Sequence, residues 1–360
     1  MVIALAACTG GGDSVHPQTP PAPSDSSPPR VDEPPGRDLQ RFQLHVSAVR
    51  TIRLGRRAQV TSVLSALGTV WVTAFGGVPE HRAILVDART MRKTGVVSLG
   101  GVPPWETGGG GLRLARAAMW VAASGPEGSG ARAANGVVYR IGVTSPHEVK
   151  AFPIGGRFGA DVAIGSGWIW AALFTSGRAE LVRLDERTGR VTMRVRLDTD
   201  YVRRVLLVED TVVVDERYWE GEHGGPYTLL ESFDAFSGRR LATWRPRGGR
   251  APQELAHWKH ELWAGLAHSL VRLDPRTFQE IGTPIPGAST NGSGLAGSRQ
   301  GIWFVEGGSN RLSLFDPRRR AVMRVLDVRR FSPVAMDVGR HAVWLLGYEG
   351  TLTRIEFAEP

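Results

Sequence analysis

From about residue 42 onward the chain is written in short alternating runs. The stretch from Ala160 to Asp198 separates into four of them, DVAIGSG, WIWAALF, ELVRLDERTG and RVTMRVRL. Apolar residues alternate with other types, and Gly, Ser and Asp fall at the breaks, which is the pattern of half-buried strands joined by hairpin turns. The unit recurs along the chain. Trp71, Trp120, Trp170, Trp263, Trp303 and Trp344 sit in the same slot of the second run, and Val213 fills that slot in TVVVDER. Asp87, Asp185, Asp234, Asp274 and Asp316 close the third run, where an Asp followed by Pro, Ala or Glu suits a tight turn. Its carboxylate can accept backbone N–H groups just ahead of it.

Four strands repeating every ~40–50 residues are the signature of β-propeller blades. Counting the slots predicts an all-β, seven-bladed propeller of four-stranded blades over residues 41–360. The units run from Val60 to about Gly100, Leu112 to Gly156, Ala160 to Asp198, Val202 to Gly248, Ala251 to Gly287, Gly294 to about Arg330, and from Val334 onward. In the second unit Gly142 replaces the turn Asp. The seventh unit stops at LTRIEFAEP and lacks a fourth strand. FQLHVSAVRTIRLG, Phe42 to Gly55, ends in the same aliphatic–Gly pattern as the other fourth strands. It is expected to pair with the seventh unit and close the ring, which removes two free sheet edges.

The repeat resembles the YVTN-type and streptogramin-B-lyase-like propellers of bacteria, whose blades carry a G-x-[VL]-W-[VF]-x element and a R-[LI]-D-x-x-T turn. ALGTVWVTAF, GSGWIWAALF and RQGIWFVEGG match the first element, and LVRLDERTG and LVRLDPRTF match the second. The resemblance covers residues 42 to 357 and implies the fold; propellers of this type include enzymes, ligand sensors and inert scaffolds. In the lyases a His pair and a Glu near the channel act with a divalent metal. Here only Glu306, in IWFVEGG, keeps that Glu, and the candidate partners His268 and His341 sit in no matching motif. The chain shows no G-x-S-x-G, P-loop or H-E-x-x-H pattern, so no metal and no cofactor is expected.

Ahead of the repeat, residues 1–8 read as a truncated signal peptide ending in a lipobox. Leu5-Ala6-Ala7-Cys8 resembles the lipobox of bacterial lipoproteins, a family in which the cysteine is lipidated. Cys8 is the only cysteine, so it has no disulfide partner within the chain. Only seven residues precede it, fewer than a complete export signal needs, and the true start is expected upstream. Residues 9–40 are rich in Pro, Ser, Gly and Asp and read as a disordered tether. Lipidation at Cys8 would anchor the protein extracytoplasmically, on the outer side of the cell membrane.

The net charge of +9 does not change this picture. Of 44 basic residues only Lys93, Lys150 and Lys259 are lysines, and the arginines are spread over every unit. Such a distribution reads as solvated strand ends, or as a surface for an anionic envelope partner, and no nucleic-acid partner is expected.

Chemistry is expected on the long loops, since irregular loops on a rigid scaffold commonly carry function. GGVPPWETGGGG offers Trp105 and Glu106, and SGPEGSGARAANG offers Glu127 and Arg132. DERYWEGEHGGPY concentrates Arg217, Tyr218, Trp219, Glu220, Glu222, His223 and Tyr227, in the one unit that has lost its Trp. Aromatics beside carboxylates, Arg and His can stack on and hydrogen-bond a polar ligand. Glu80, His81, Tyr201 and Tyr348 are expected on the same face. The recurrent Trp and turn Asp residues read as structural. The expectation is therefore a monomeric recognition, sensor or scaffold module for an envelope polymer, a small polar ligand or a partner protein. The competing class is a metal-assisted lyase or hydrolase at the channel mouth.

Overall fold

The computed structural model describes residues 46–55, 59–75, 81–99, 111–124, 136–156, 158–175, 178–199, 201–219, 226–245, 252–288, 290–307 and 309–358. Segments 1–8, with Cys8, and 9–40 lie outside them. The described strands form seven four-stranded antiparallel sheets. Six sheets take their strands in chain order, as a meander of short hairpins should. The seventh combines Pro333–Val338, Ala342–Gly347 and Thr351–Phe357 with the N-terminal strand Val46–Arg53. The register Arg50↔Arg354, Ile52↔Leu352 is the expected ring closure. Among the described residues the only helix is a 3-10 turn at Arg329–Phe331.

The first strands of the blades are Gln59–Ala66, Leu112–Ala115, Phe158–Gly165, Val202–Val208, Glu254–Trp258, Thr290–Gly297 and Pro333–Val338. Each touches the first strands of its two neighbours, and Pro333–Val338 returns to Gln59–Ala66, so these seven line the central channel. Strand direction gives the ring two ends. Turns between first and second and between third and fourth strands share one, the turn end. Connections between second and third strands share the other, the loop end. Val46 pairs with Phe357 at the close of a third strand, so the strand Val46–Arg53 begins at the turn end.

The slot residues hold neighbouring blades together. Each lies in a cluster of buried apolar side chains shared with the following blade. Trp71 packs with Leu112 and Val121 of the second blade, Trp170 with Val205 and Phe233 of the fourth, and Trp344 with Val72 of the first. Val213 does the same with Leu255 and Leu262 of the fifth blade. A large ring removed from water at six of the seven junctions supplies much of the apolar burial a closed ring needs.

The turn Asp residues are structural, as expected. Asp185 Oδ1 accepts Thr188 N at 2.7 Å and Thr188 Oγ1 at 2.6 Å. Asp87 does the same with Thr90, and Asp234 with Ser237. These hydrogen bonds hold all three carboxyls below the usual carboxylate range. Asp274 accepts the N–H groups of Arg276 and Thr277, each at 2.8 Å, and the Thr277 hydroxyl at 3.0 Å. Asp274→Ala is expected to cost about 1 kcal/mol, the usual effect of losing such a cap. Urea denaturation of the variant checks it.

Candidate functional site

The described parts of the segment Asp215 to Tyr227, expected as a loop, instead extend the fourth blade at 215–219 and 226–227. Its second strand, Thr211–Trp219, and third, Pro226–Asp234, pair without interruption from Thr211↔Asp234 to Trp219↔Pro226. At nine residues each they are the longest central strands of any blade. Arg217, Tyr218, Trp219 and Tyr227 lie on this ladder, with Arg217↔Thr228 and Tyr218↔Tyr227 in register. Glu220 and His223 lie outside the described residues, as do Trp105, Glu106 and Glu80.

The base of this hairpin is held by buried charge. Asp215, fully buried, accepts two hydrogen bonds from Arg203, from Nε at 2.8 Å and from Nη2. Arg203 also donates to the carbonyls of Pro252 and Gln253 in the fifth blade. Arg204 pairs with Glu254 at 2.6 Å and donates to the Leu255 carbonyl at 2.8 Å. One residue along, Glu216 and Glu231 are both buried on neighbouring strands. Glu231 Oε1 meets Arg240 Nε at 2.9 Å. Burial, then the charge of Glu231, pushes the Glu216 carboxyl up to about 10. Burial raises the Glu231 carboxyl as well, so the pair keeps a proton between them while Glu231 answers Arg240.

The channel wall carries a second set of charges. Asp161 accepts Val162 N at 2.8 Å and, across to the next blade, Val205 N at 2.9 Å. Arg113 lies 3.4 Å from Asp161 Oδ2 and donates to the Val205 carbonyl. Asp337 accepts Ser65 N at 2.6 Å, which joins the seventh blade to the first. Gly111 has a steric reason, since a Cβ there would lie 1.6 Å from Asp161 Oδ1. Burial pushes the Asp337 carboxyl up to about 6, against the Ser65 and Val338 N–H groups and the Arg113 charge. Burial and then Arg113 hold His257 below the usual histidine range. His257 and Asp337 keep accessible surface although protein surrounds them, as side chains on a channel wall do. These charges tie first strands to one another around the channel.

Arg113, Asp161, Arg203, Arg204, Glu231, Glu254 and Asp337 were not singled out from the sequence. The available signal was a charge inside an apolar first strand, as in ADVAIG, VRRVL, ELAHW and VAMDV.

Of the remaining expected residues, Tyr348 is exposed at the loop end of the seventh blade, and Tyr201 packs on Phe174 at 5.6 Å. His81 is 2% exposed and does not present itself on that face; burial lowers it to about 4, so it is neutral. Glu306 accepts the Ser309 and Ser313 hydroxyls, each at 2.6 Å. His268 and His341 lie on the fifth and seventh blades, in connections at opposite ends of the ring. Among the described residues no three His, Cys, Asp or Glu side chains gather as a metal set.

No protein-family model matches the chain, and no curated protein matches it. Solved structures do. A catalytically inactive virginiamycin B lyase from Staphylococcus aureus, crystallised with quinupristin, is similar at 15% identity and a TM-score of 0.58, covering 86% of this chain and 99% of that one. The WD40 β-propeller domain of Doa1 is similar at 8% identity and a TM-score of 0.58, covering 88% and 97%. The likeness is one of fold. At such identities it transfers no residue role.

Proposed function

We propose that the protein is a lipid-anchored, extracytoplasmic recognition module that binds an envelope polymer, a polar ligand or a partner protein through the loop end of its ring. The observation that carries the reading is the fourth-blade hairpin. Its strands are the longest central pair among the described residues, it carries Arg217, Tyr218, Trp219 and Tyr227, and it stands on a base cross-linked by Arg203, Asp215 and Glu254. Tyr, Trp and Arg are the residue types that dominate binding hot spots, and a rigid base limits the entropy lost on binding. Val46, the first described residue, lies at the turn end, opposite the hairpin. The turn end also carries Arg89, Arg187, Arg276 and the run Arg318 to Arg320, a basic set that suits an anionic membrane surface.

Two variants test the reading. Tyr218→Ala/Trp219→Ala, with an unchanged melting temperature, is expected to lose at least about tenfold in retention on cell-wall fragments or solubilised envelope proteins. Retention equal to wild type would remove the hairpin from the account. Cys8→Ala is expected to move the protein from the membrane fraction to the soluble one, and a variant that stays in membranes after a carbonate wash would refute the lipid anchor.

A further inference from the structure

The strongest unexplained feature lies away from the hairpin, in the groove between the second and third blades at the turn end. Its volume is about 310 Å³. Trp120 and Phe152, stacked at 5.8 Å, line it together with Arg116, Arg140, Lys150 and Arg187. Arg140 and Lys150 stand directly opposite each other on adjacent antiparallel strands. Like charges in that position repel and destabilise a sheet pair.

The same juxtaposition occurs once more, and there it is neutralised. Arg50 faces Arg354 in the seventh blade, and Glu356 lies 3.9 Å from the first and 3.3 Å from the second. In the second blade no carboxylate among the described residues pairs with Arg140 or Lys150. The Arg140 guanidinium sits 6.0 Å from the Trp120 ring centre instead. The two acids nearby are already engaged. Glu186 meets Arg116 at 3.5 Å, and Asp185 holds its own turn, with Arg187 beside it. The groove lining holds four cations and one carboxylate, Glu186, a net charge of +3 before Asp185 of the adjoining turn is counted.

Arg116, φ 44°, takes the left-handed first turn position that Leu67 and Ser166 take in the first and third blades, and Ala117, φ 58°, stands where those blades place Gly.

We infer that this groove is an anion site for a phosphate ester, with the phosphate between Arg140 and Lys150 and its organic part against Phe152, which the buried Trp120 backs. A phosphate supplies close to two negative charges and acceptor oxygens in several directions, which matches an uncompensated Arg–Lys pair better than one planar carboxylate does. The volume exceeds that of inorganic phosphate, and the aromatic wall gives the remainder an apolar contact. The ester can be free in solution or belong to a lipid headgroup, since the groove opens at the end where the N-terminal strand enters the ring.

The test uses the full-length chain carrying Cys8→Ala, so that no acyl group contributes, with and without Lys150→Glu. That substitution supplies the missing carboxylate beside Arg140. It is expected to raise the melting temperature in phosphate-free buffer while abolishing binding. In the Lys150 protein, glycerol 3-phosphate or phosphatidylglycerol vesicles should bind at least about tenfold more tightly than to the Lys150→Glu protein, a 1.4 kcal/mol difference. Binding to glycerol 3-phosphate assigns the site to a soluble ester, and binding to phosphatidylglycerol but not phosphatidylcholine vesicles assigns it to a headgroup. Equal binding by the two proteins, or no binding of either probe to the Lys150 protein, would overturn the inference. Should Lys150→Glu fail to fold, Lys150→Gln is read by the same two criteria.

Discussion

Arg203→Ala is expected to destabilise the ring by about 3–5 kcal/mol, because it leaves the fully buried Asp215 carboxylate without its counter-ion. Asp215 Oδ1 already lacks a partner, so the loss of Arg203 cannot be absorbed by a rearranged network on that side. The variant also frees the carbonyls of Pro252 and Gln253 from the bonds that link the fourth blade to the fifth. Asp215→Ala should cost less, since the Arg203 side chain is 16% exposed and can still reach those carbonyls and water. Removing both charges together with apolar residues of similar volume should recover most of the stability, as it does for other buried pairs. A double-mutant cycle by chemical denaturation measures all three. A cost below about 1 kcal/mol for Arg203→Ala would show that the pair is not what supports the hairpin.

Glu216→Gln is expected to act in the opposite direction and to depend on pH. The groups facing Glu216 are Glu231, Arg240 and Asp198. In the folded chain Glu216 keeps its proton up to about pH 10, whereas unfolded it releases it near 4.5. Between those values the folded state binds the extra proton, so the wild type loses stability as pH rises through the window. Glutamine donates the same hydrogen bond to Glu231 without needing a proton. The variant should match wild type near pH 4.5 and exceed it by on the order of 2 kcal/mol, or several degrees in melting temperature, at pH 8. Melting curves taken from pH 4.5 to 9 check both the sign and the slope. A variant less stable than wild type at pH 8 would mean that the two carboxyls do not share a proton.

These two expectations rest on residues that sequence reasoning passed over, and bulges in the first strands explain part of the reason. Register shifts fall between Val60 and Ser62, Gly159 and Asp161, Val202 and Arg204, and Pro333 and Ala335. A period-two reading carried across such a shift assigns the following side chains to the wrong face. The fourth-blade segment misled in another way. Its Gly and Glu content suggested a loop, while cross-strand pairing carries the ladder as far as Trp219↔Pro226.

What the chain's pattern determined by itself was the blade. Strand alternation and the Asp turn are settled within one unit, by contacts between residues a few positions apart or on adjacent hairpin strands, and the Trp slot repeats in step with them although its ring packs on the following blade. Even the closing strand was legible, because its aliphatic–Gly ending repeats that of the other fourth strands. The tertiary structure alone decided which charges meet. Ser65 and Asp337 are 272 residues apart, and Arg113 reaches Val205 from 92 residues away. Such partners become neighbours only when the ring closes, and burial then makes each unpaired charge too costly to leave without one.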